Sequence, residues 1–314
     1  MSLTSLTTIQ NSLNYYGYPL ILTLGNIGNL FIFIIFSRQQ HNACSFYVLS
    51  LAIVNSIYLT FNCLTRMLSY SFISSSLAAF AYCKIRYYIS GTFGQVAKTI
   101  IVLACIDRYM MTHIYINFRA CSTLKRAKIM VFISFIFWLI AGCHIPILVT
   151  INNGLCTVFG IYAVYFSIYV LLAIGILPPT ISAIFGYLTY RNLKFRRVRI
   201  QPRIRHTNKI TRRERGLLIL VMSEVILYIV TTTLYPITLT EISLSRYYMS
   251  NKSHQHIVIE NFIFTLSIIF VYINHGASFY MYLISSKSFR RDFKRLVINC
   301  YRKLRRLPLT ELSR

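Results

Sequence analysis

The sequence predicts an all-α fold: a seven-transmembrane helix bundle with a short cytoplasmic amphipathic eighth helix. Three observations carry this expectation: seven apolar windows of spanning length, Lys and Arg gathered on one side of them, and a basic amphipathic stretch after the last. Of 314 residues, 56% are hydrophobic and 13% charged, where soluble domains carry about a quarter charged. Lipid rather than water is therefore the main solvent. The net charge of +26 comes from 33 Lys+Arg against 7 Asp+Glu and raises nucleic-acid binding as an alternative. The cations, however, fall in the gaps between apolar runs, where they face anionic headgroups. Anionic membrane lipids are thus an expected partner and nucleic acid is not.

A spanning helix needs about 20 mostly apolar residues at 1.5 Å rise each. Windows of that kind cover roughly 17–37, 44–65, 85–110, 128–150, 160–190, 216–240 and 257–283. On one side of them lie Arg38, the group Arg119, Lys125, Arg126 and Lys128, eleven cations from Arg191 to Arg215 and ten from Lys287 to Arg314. The other side has Arg66, Lys84, Arg86, Arg246 and Lys252. Positive charge stays inside, so the first set is expected in the cytoplasm and residues 1–16, which lack Lys and Arg, outside. No cleavable signal is expected, the first span serving as its own. The organisation is then an extracellular N-terminus at 1–16, a membrane domain at 17–284 and a cytoplasmic amphipathic helix with basic tail at 285–314, in the plasma membrane.

In the last segment Phe289, Phe293 and Leu296 share one helical face and basic residues the other, so it is expected along the inner membrane surface. Cys300 follows within reach of the bilayer, as a palmitoylation candidate or a plain free thiol. The eight cysteines have no metal-type spacing, and neither metal nor cofactor is expected. Cys83 and Cys156 both face the oxidising compartment. A disulfide between them would tie the third span to the loop after the fourth, two unrelated thiols being the alternative.

Asp107-Arg108-Tyr109 ends the third span at the cytoplasmic rim. Alone it reads equally as snorkelling at a helix end. Arg108 follows Cys83 by 25 residues, about 37 Å along a helix, which is roughly a bilayer with its interfaces.

In this register the chain resembles the rhodopsin-like, class A, G-protein-coupled receptors, and the resemblance covers all seven spans. Gly28-Asn29 is similar to the family's Gly-Asn in the first span, and Leu51-Ala52-Ile53-Val54-Asn55 to its Leu-Ala-x-x-Asp in the second. Trp138 stands in the fourth. Pro179 precedes Tyr187 by eight residues in the fifth, and Pro236 resembles the kink proline of the sixth. In the seventh, Asn274 precedes Ser278-Phe279-x-x-Tyr282, which aligns with Asn-Pro-x-x-Tyr. The resemblance implies that Arg108 and Tyr187 rearrange on activation to admit a heterotrimeric G protein, that Tyr282 swings inward, and that a Cys83–Cys156 bridge shapes the ligand entrance. It also implies a ligand pocket at the level of Ser90, about 27 Å above Arg108, with Gly94 one turn below it.

The departures are Asn55 for a buried aspartate, Ala97 for a serine, Ser278 for an asparagine and Leu234 in place of the sixth-span tryptophan. With no carboxylate in that set, a sodium site is not expected. Lys98 lies about 15 Å above Arg108, near mid-membrane, where an ionisable residue marks function unless it is paired at a cavity edge. Glu224 in the sixth span is the other charge of similar depth, and a direct pair between them is an open alternative.

Ser90 where an amine receptor would carry aspartate disfavours amine ligands, and the absence of lysine between Ile257 and Tyr282 disfavours retinal. Tyr235, Glu241 and Tyr272, with Glu260 and further tyrosines, point to an extracellular peptide, basic or amidated, and the Asn274-His275 to Phe279 segment resembles that of neuropeptide receptors. Their alternative is an ordinary interfacial aromatic belt. Asn251-Lys252-Ser253 is a glycosylation sequon. Enzyme signatures such as His-Glu-x-x-His and Gly-x-Ser-x-Gly are absent, and no enzyme is expected. A transporter or channel, or a receptor that no longer signals, is the remaining alternative; a transporter would predict internal repeats and matched Gly/Pro-broken helices, which the sequence lacks.

Overall fold

A computed structural model describes residues 3–38, 42–67, 76–152, 155–199, 207–248 and 252–305. Among them seven helices are long and apolar enough to cross a membrane, so the expected bundle is present and the protein is a multi-pass membrane protein. In chain order they are α1 (Leu3–Ser37), α2 (Ala43–Met67), α3 (Ser76–Thr112) and α4 (Leu124–Ala141, followed by one turn at His144–Leu148). α5 joins Gly160–Val170 to Leu177–Arg199, and α6 joins Thr207–Thr232 to Leu234–Tyr248. α7 comprises His254–Gly276 and Ser278–Ser285, and α8 is Lys287–Arg305. A small hairpin, β1 (Thr150–Asn152) with β2 (Leu155–Thr157), sits between α4 and α5.

Several helices outrun their hydropathy windows. A transfer scale sees only the part that sits in lipid, whereas Lys, Arg and Glu continue a helix readily once it leaves. The largest difference is at α1: residues 3–16, which the sequence places before the first span with no helix assigned to them, are helical and continuous with that span. No Gly or Pro interrupts them before Gly17, Thr7 and Thr8 return their hydroxyls to the Thr4 carbonyl, and Gln10 Nε2 donates to Thr265 Oγ1 at 3.0 Å, docking the extension on α7.

The prolines set the irregular turns. Pro178 lacks the N–H that would bond the carbonyl four residues back, Ile174, and the chain widens into a π turn at Leu171–Ile176 immediately before it. Pro236 likewise follows the break at Thr233 between the two halves of α6. α7 breaks at Ala277 without proline; the Ala277 N–H still reaches Ile273 O at 2.8 Å.

Packing places α3 at the centre, in contact with α2, α4, α5 and α6. The core includes Leu51, Val96, Ile100, Leu220 and Val221. α4 is peripheral: Phe132, Ile133, Phe137 and Ile140 are exposed, which is stable only against lipid. Lipid tails give apolar helix faces no drive to associate, so close backbone approach matters more. Gly25 of α1 and Gly276 of α7 meet where a Cβ on Gly276 would lie 3.0 Å from the Gly25 Cα. The apolar face of α8 packs on protein: Phe289 is buried, and Phe293 lies with ring centroids 5.2 Å from both Phe31 and Phe279. Its exposed apolar residues are Val297, Ile298 and Tyr301, alongside the exposed Cys300.

Candidate functional site

At the rim opposite Cys83, Asp107 and Arg108 are both 2% exposed. Arg108 Nη2 and Nε donate to Asp107 Oδ2 at 2.6 and 3.2 Å, and Nη2 also reaches Asn42 Oδ1 at 3.3 Å. Ser122 Oγ donates to Asp107 Oδ1 at 2.5 Å. The carboxylate is thus held from both sides, and the guanidinium is covered. Tyr109 points the other way, its ring 5.4 Å from Phe185 on α5. Tyr187 lies on the exposed face of α5, at 64%, so the structure does not bring it to Arg108; an approach would require α5 to turn.

Above this layer Tyr282 is 1% exposed, packed at 5.4 Å on Phe289, and its hydroxyl hydrogen-bonds the Glu224 carboxylate. Ser278 is buried beside them. A cavity of about 10 Å³ is bounded by Tyr47, Leu51, Ile100, Val221, Glu224 and Tyr282, at the lower limit for one water. Glu224 Oε1 has no hydrogen-bond partner in the protein, so a water there would complete it.

Lys98 is 3% exposed, and its Nζ donates to Asn274 Oδ1 at 2.7 Å while lying 4.3 Å from the Tyr228 ring centroid. Glu224 acts on Lys98 electrostatically without forming a direct ion pair. The Tyr228 hydroxyl donates to the Ile174 carbonyl, the acceptor that Pro178 orphans. One ammonium therefore ties α3 to α7 directly and, through one phenol, to α6 and the irregular turn of α5. Pro179, the proline singled out from sequence, follows directly and also lacks a backbone donor, so neither the α nor the π register can supply one to Ile174 O.

Asn55, where the sequence departs from an acidic residue, accepts from His275 Nδ1 at 2.7 Å, and the His275 ring stacks on Tyr58 at 3.9 Å. Asn29 Nδ2 donates to the His275 carbonyl at 3.1 Å. α1, α2 and α7 are thereby joined through one buried histidine. Trp138 Nε1 donates to Thr99 Oγ1 at 2.8 Å, attaching peripheral α4 to α3.

Toward the Cys83 rim, Ser90 Oγ bonds Asn62 Oδ1, and Gly94 faces the Tyr58 ring, 3.4 Å from where its Cβ would stand. Tyr272 is buried between Tyr18 and Tyr58, with centroids at 5.7 and 6.2 Å, and Tyr235 stacks on Phe264. Glu241 does not join them. It is exposed with His256 Nε2 at 4.0 Å, while Glu260 takes Lys252 at 2.5 Å, His256 at 2.9 Å and Ser245 at 3.0 Å. The acidic residues at this rim are thus engaged by Lys252 and His256 beside α6 and α7. Cys83 and Cys156 form a disulfide with Cα atoms 5.7 Å apart, Cys156 lying in β2 opposite Ile151. Asn251 lies outside the described residues.

Sequence reasoning missed Arg66, Asn62, Tyr228 and His275. Arg66 had registered only as a loop cation, yet its Nε reaches the Tyr272 hydroxyl at 3.3 Å. Tyr228 was legible in principle, one turn after Glu224 on the same face of α6. Asn62 gave no signal and His275 stood only within a motif, because a single polar residue in an apolar helix does not name its partner.

Among curated proteins none matches the sequence. Residues 25–276, which run from the Gly25 contact with α7 through Arg108 to His275 and Gly276, match the family described as 7 transmembrane receptor (rhodopsin family), and the chain belongs to that family.

Proposed function

We propose that this protein is a G-protein-coupled receptor of the plasma membrane, with its N-terminus and the Cys83 rim outside. It passes the binding of an extracellular ligand to a heterotrimeric G protein at the Arg108 rim. The observation that supports this reading best is the burial of the Asp107–Arg108 pair under a closed inner rim, with a continuous polar column above it: Glu224–Tyr282, Lys98–Asn274–Tyr228, then His275–Asn55. A G protein has a surface to bind only once Arg108 is uncovered. Ligand and G protein each bind that open state better, so each raises the affinity for the other.

The eleven cations from Arg191 to Arg215 supply positive charge for the G protein and for anionic lipid at the inner face. The favoured ligand class is a peptide, on the strength of the tyrosine-lined outer end around Tyr58, Tyr235 and Tyr272. Such rings supply large rigid contact area together with hydroxyl donors. Nucleotide exchange on purified G proteins, driven by membranes carrying the chain and screened against peptides and small metabolites, tests the proposal. Arg108→Ala should abolish exchange. Uptake of solute by vesicles carrying the chain without G protein, in place of exchange, would instead identify a transporter.

A further inference from the structure

We infer that the outer end of the bundle binds the anionic head, a carboxylate or phosphate, of a ligand with an apolar body, and that Arg66 is its principal anchor. The inference rests on the receptor reading above, which sets the Cys83 rim outside.

The charge inventory comes first. The whole chain has seven acidic residues, of which two, Glu241 and Glu260, belong to the outer rim. Both already have partners: Glu260 binds Lys252 and the His256 ring, and Glu241, itself exposed, has the His256 ring at 4.0 Å. Lys84 rests over the Phe80 ring at 4.3 Å. Arg66, Arg86 and the exposed Arg246 remain, and none has a carboxylate within 4 Å among the described residues; Arg246 stands out in solvent, so the two cations at the ends of α2 and α3 are the ones to consider. No acidic residue occurs in the outer segments that lie outside the described residues.

The geometry comes second. Arg66 closes α2 half-buried, and one of its donors, Nε, is spent on the Tyr272 phenol at 3.3 Å. Arg66 and Arg86, from α2 and α3, both act electrostatically on Tyr18 of α1 and on Tyr235 of α6. Arg66 is thus in contact with the tyrosine cluster through Tyr272, and Arg86 adds positive charge near the same rings. A guanidinium among aromatic rings with only phenols for company is poorly compensated for the water it has lost. Its planar fork matches the two oxygens of a carboxylate or phosphate, and the rings of Tyr58, Tyr235 and Tyr272 supply apolar contact for what is attached. A basic or amidated peptide end meets the wrong sign at this site; a peptide entering here presents its free C-terminal carboxylate or an acidic side chain.

The test uses the full chain in lipid nanodiscs and matched probes: N-acetyl-Phe-Phe as free acid and as amide, dodecanoate and dodecanamide, and dodecyl phosphate. Binding is read as a rise in the unfolding midpoint, and signalling as nucleotide exchange on added G protein. At least one anion should bind while its neutral twin does not; which one separates a peptide carboxylate from a fatty acid or a phosphate. Arg66→Gln should weaken that binding about 10- to 100-fold, the size of one lost charge-assisted contact, and Arg86→Gln by less, with Arg66→Lys restoring part. Equal binding of the neutral twins, failure of every anion at about 1 mM, or unchanged affinity in Arg66→Gln overturns the inference. Anions that bind through Arg66 without driving exchange sustain the site and count against the receptor reading; exchange driven by the amides does the reverse.

Discussion

Asp107→Asn isolates the contact that keeps the inner rim closed. In the wild type the Asp107 carboxylate accepts from Arg108 at 2.6 and 3.2 Å on one oxygen and from Ser122 at 2.5 Å on the other, with both charged residues 2% exposed. Removing one partner of a fully buried pair costs about 3–5 kcal/mol, and a single hydrogen bond to a charged group contributes about 1.5–3 kcal/mol. Asparagine keeps the shape and one acceptor oxygen, so the loss belongs near the lower figure, about 2 kcal/mol. When the rim opens, Arg108 exchanges the carboxylate for water or a G protein, so this loss falls on the closed state. At 1.4 kcal/mol per tenfold, the open fraction should rise about 30-fold. Basal nucleotide exchange without ligand, in membranes matched for receptor amount, should increase by that factor or reach the ligand-stimulated plateau. Basal exchange at or below the wild-type rate, in a variant that reaches the cell surface normally, would refute the reasoning.

Three further outcomes follow from the same geometry. Lys98→Met should alter basal or evoked exchange. Combined with Glu224→Gln it should show non-additivity of about 1–3 kcal/mol, since charges more than 4 Å apart interact by less than about 4 kcal/mol at an effective dielectric of 20; strict additivity with wild-type signalling would remove the hub assigned to Lys98. Tyr228→Phe should cost about 1–3 kcal/mol by leaving the Ile174 carbonyl without its donor, seen as a lower unfolding midpoint; an unchanged midpoint would mean that the carbonyl needs no partner. Gly276→Ala should destabilise by about 1–3 kcal/mol, because the new Cβ meets the Gly25 Cα at 3.0 Å, whereas Gly17→Ala, with nothing within 4 Å, should be far milder; equal effects would place the α1–α7 contact elsewhere.

Much of this was legible in the residues. Seven apolar windows and the Cys83-to-Arg108 spacing located the helices and their register, because a bilayer demands about 20 apolar residues per crossing and satisfies the backbone only within a helix. The disulfide expected from two cysteines on the same side of the bilayer is present. Lys98, Asn55, Ser278 and Tyr282, all singled out from sequence, are buried. The ends of the helices were misjudged, most at residues 3–16, since the hydropathy window stops where lipid stops while hydrogen bonding along the helix does not.

What sequence alone determined is thus one-dimensional: which segments cross lipid, where the charges gather, and which family signature they carry. Only the tertiary structure decided who faces whom. It paired Lys98 with Asn274 and Tyr228 rather than with Glu224, gave His275 to Asn55, turned Tyr187 outward, and left Arg66 without a carboxylate while Lys252 and His256 took up Glu260. The reason is that helix formation depends on local bonds four residues apart, whereas the partner of a buried polar side chain depends on the rotation and crossing of helices set by packing over the whole bundle.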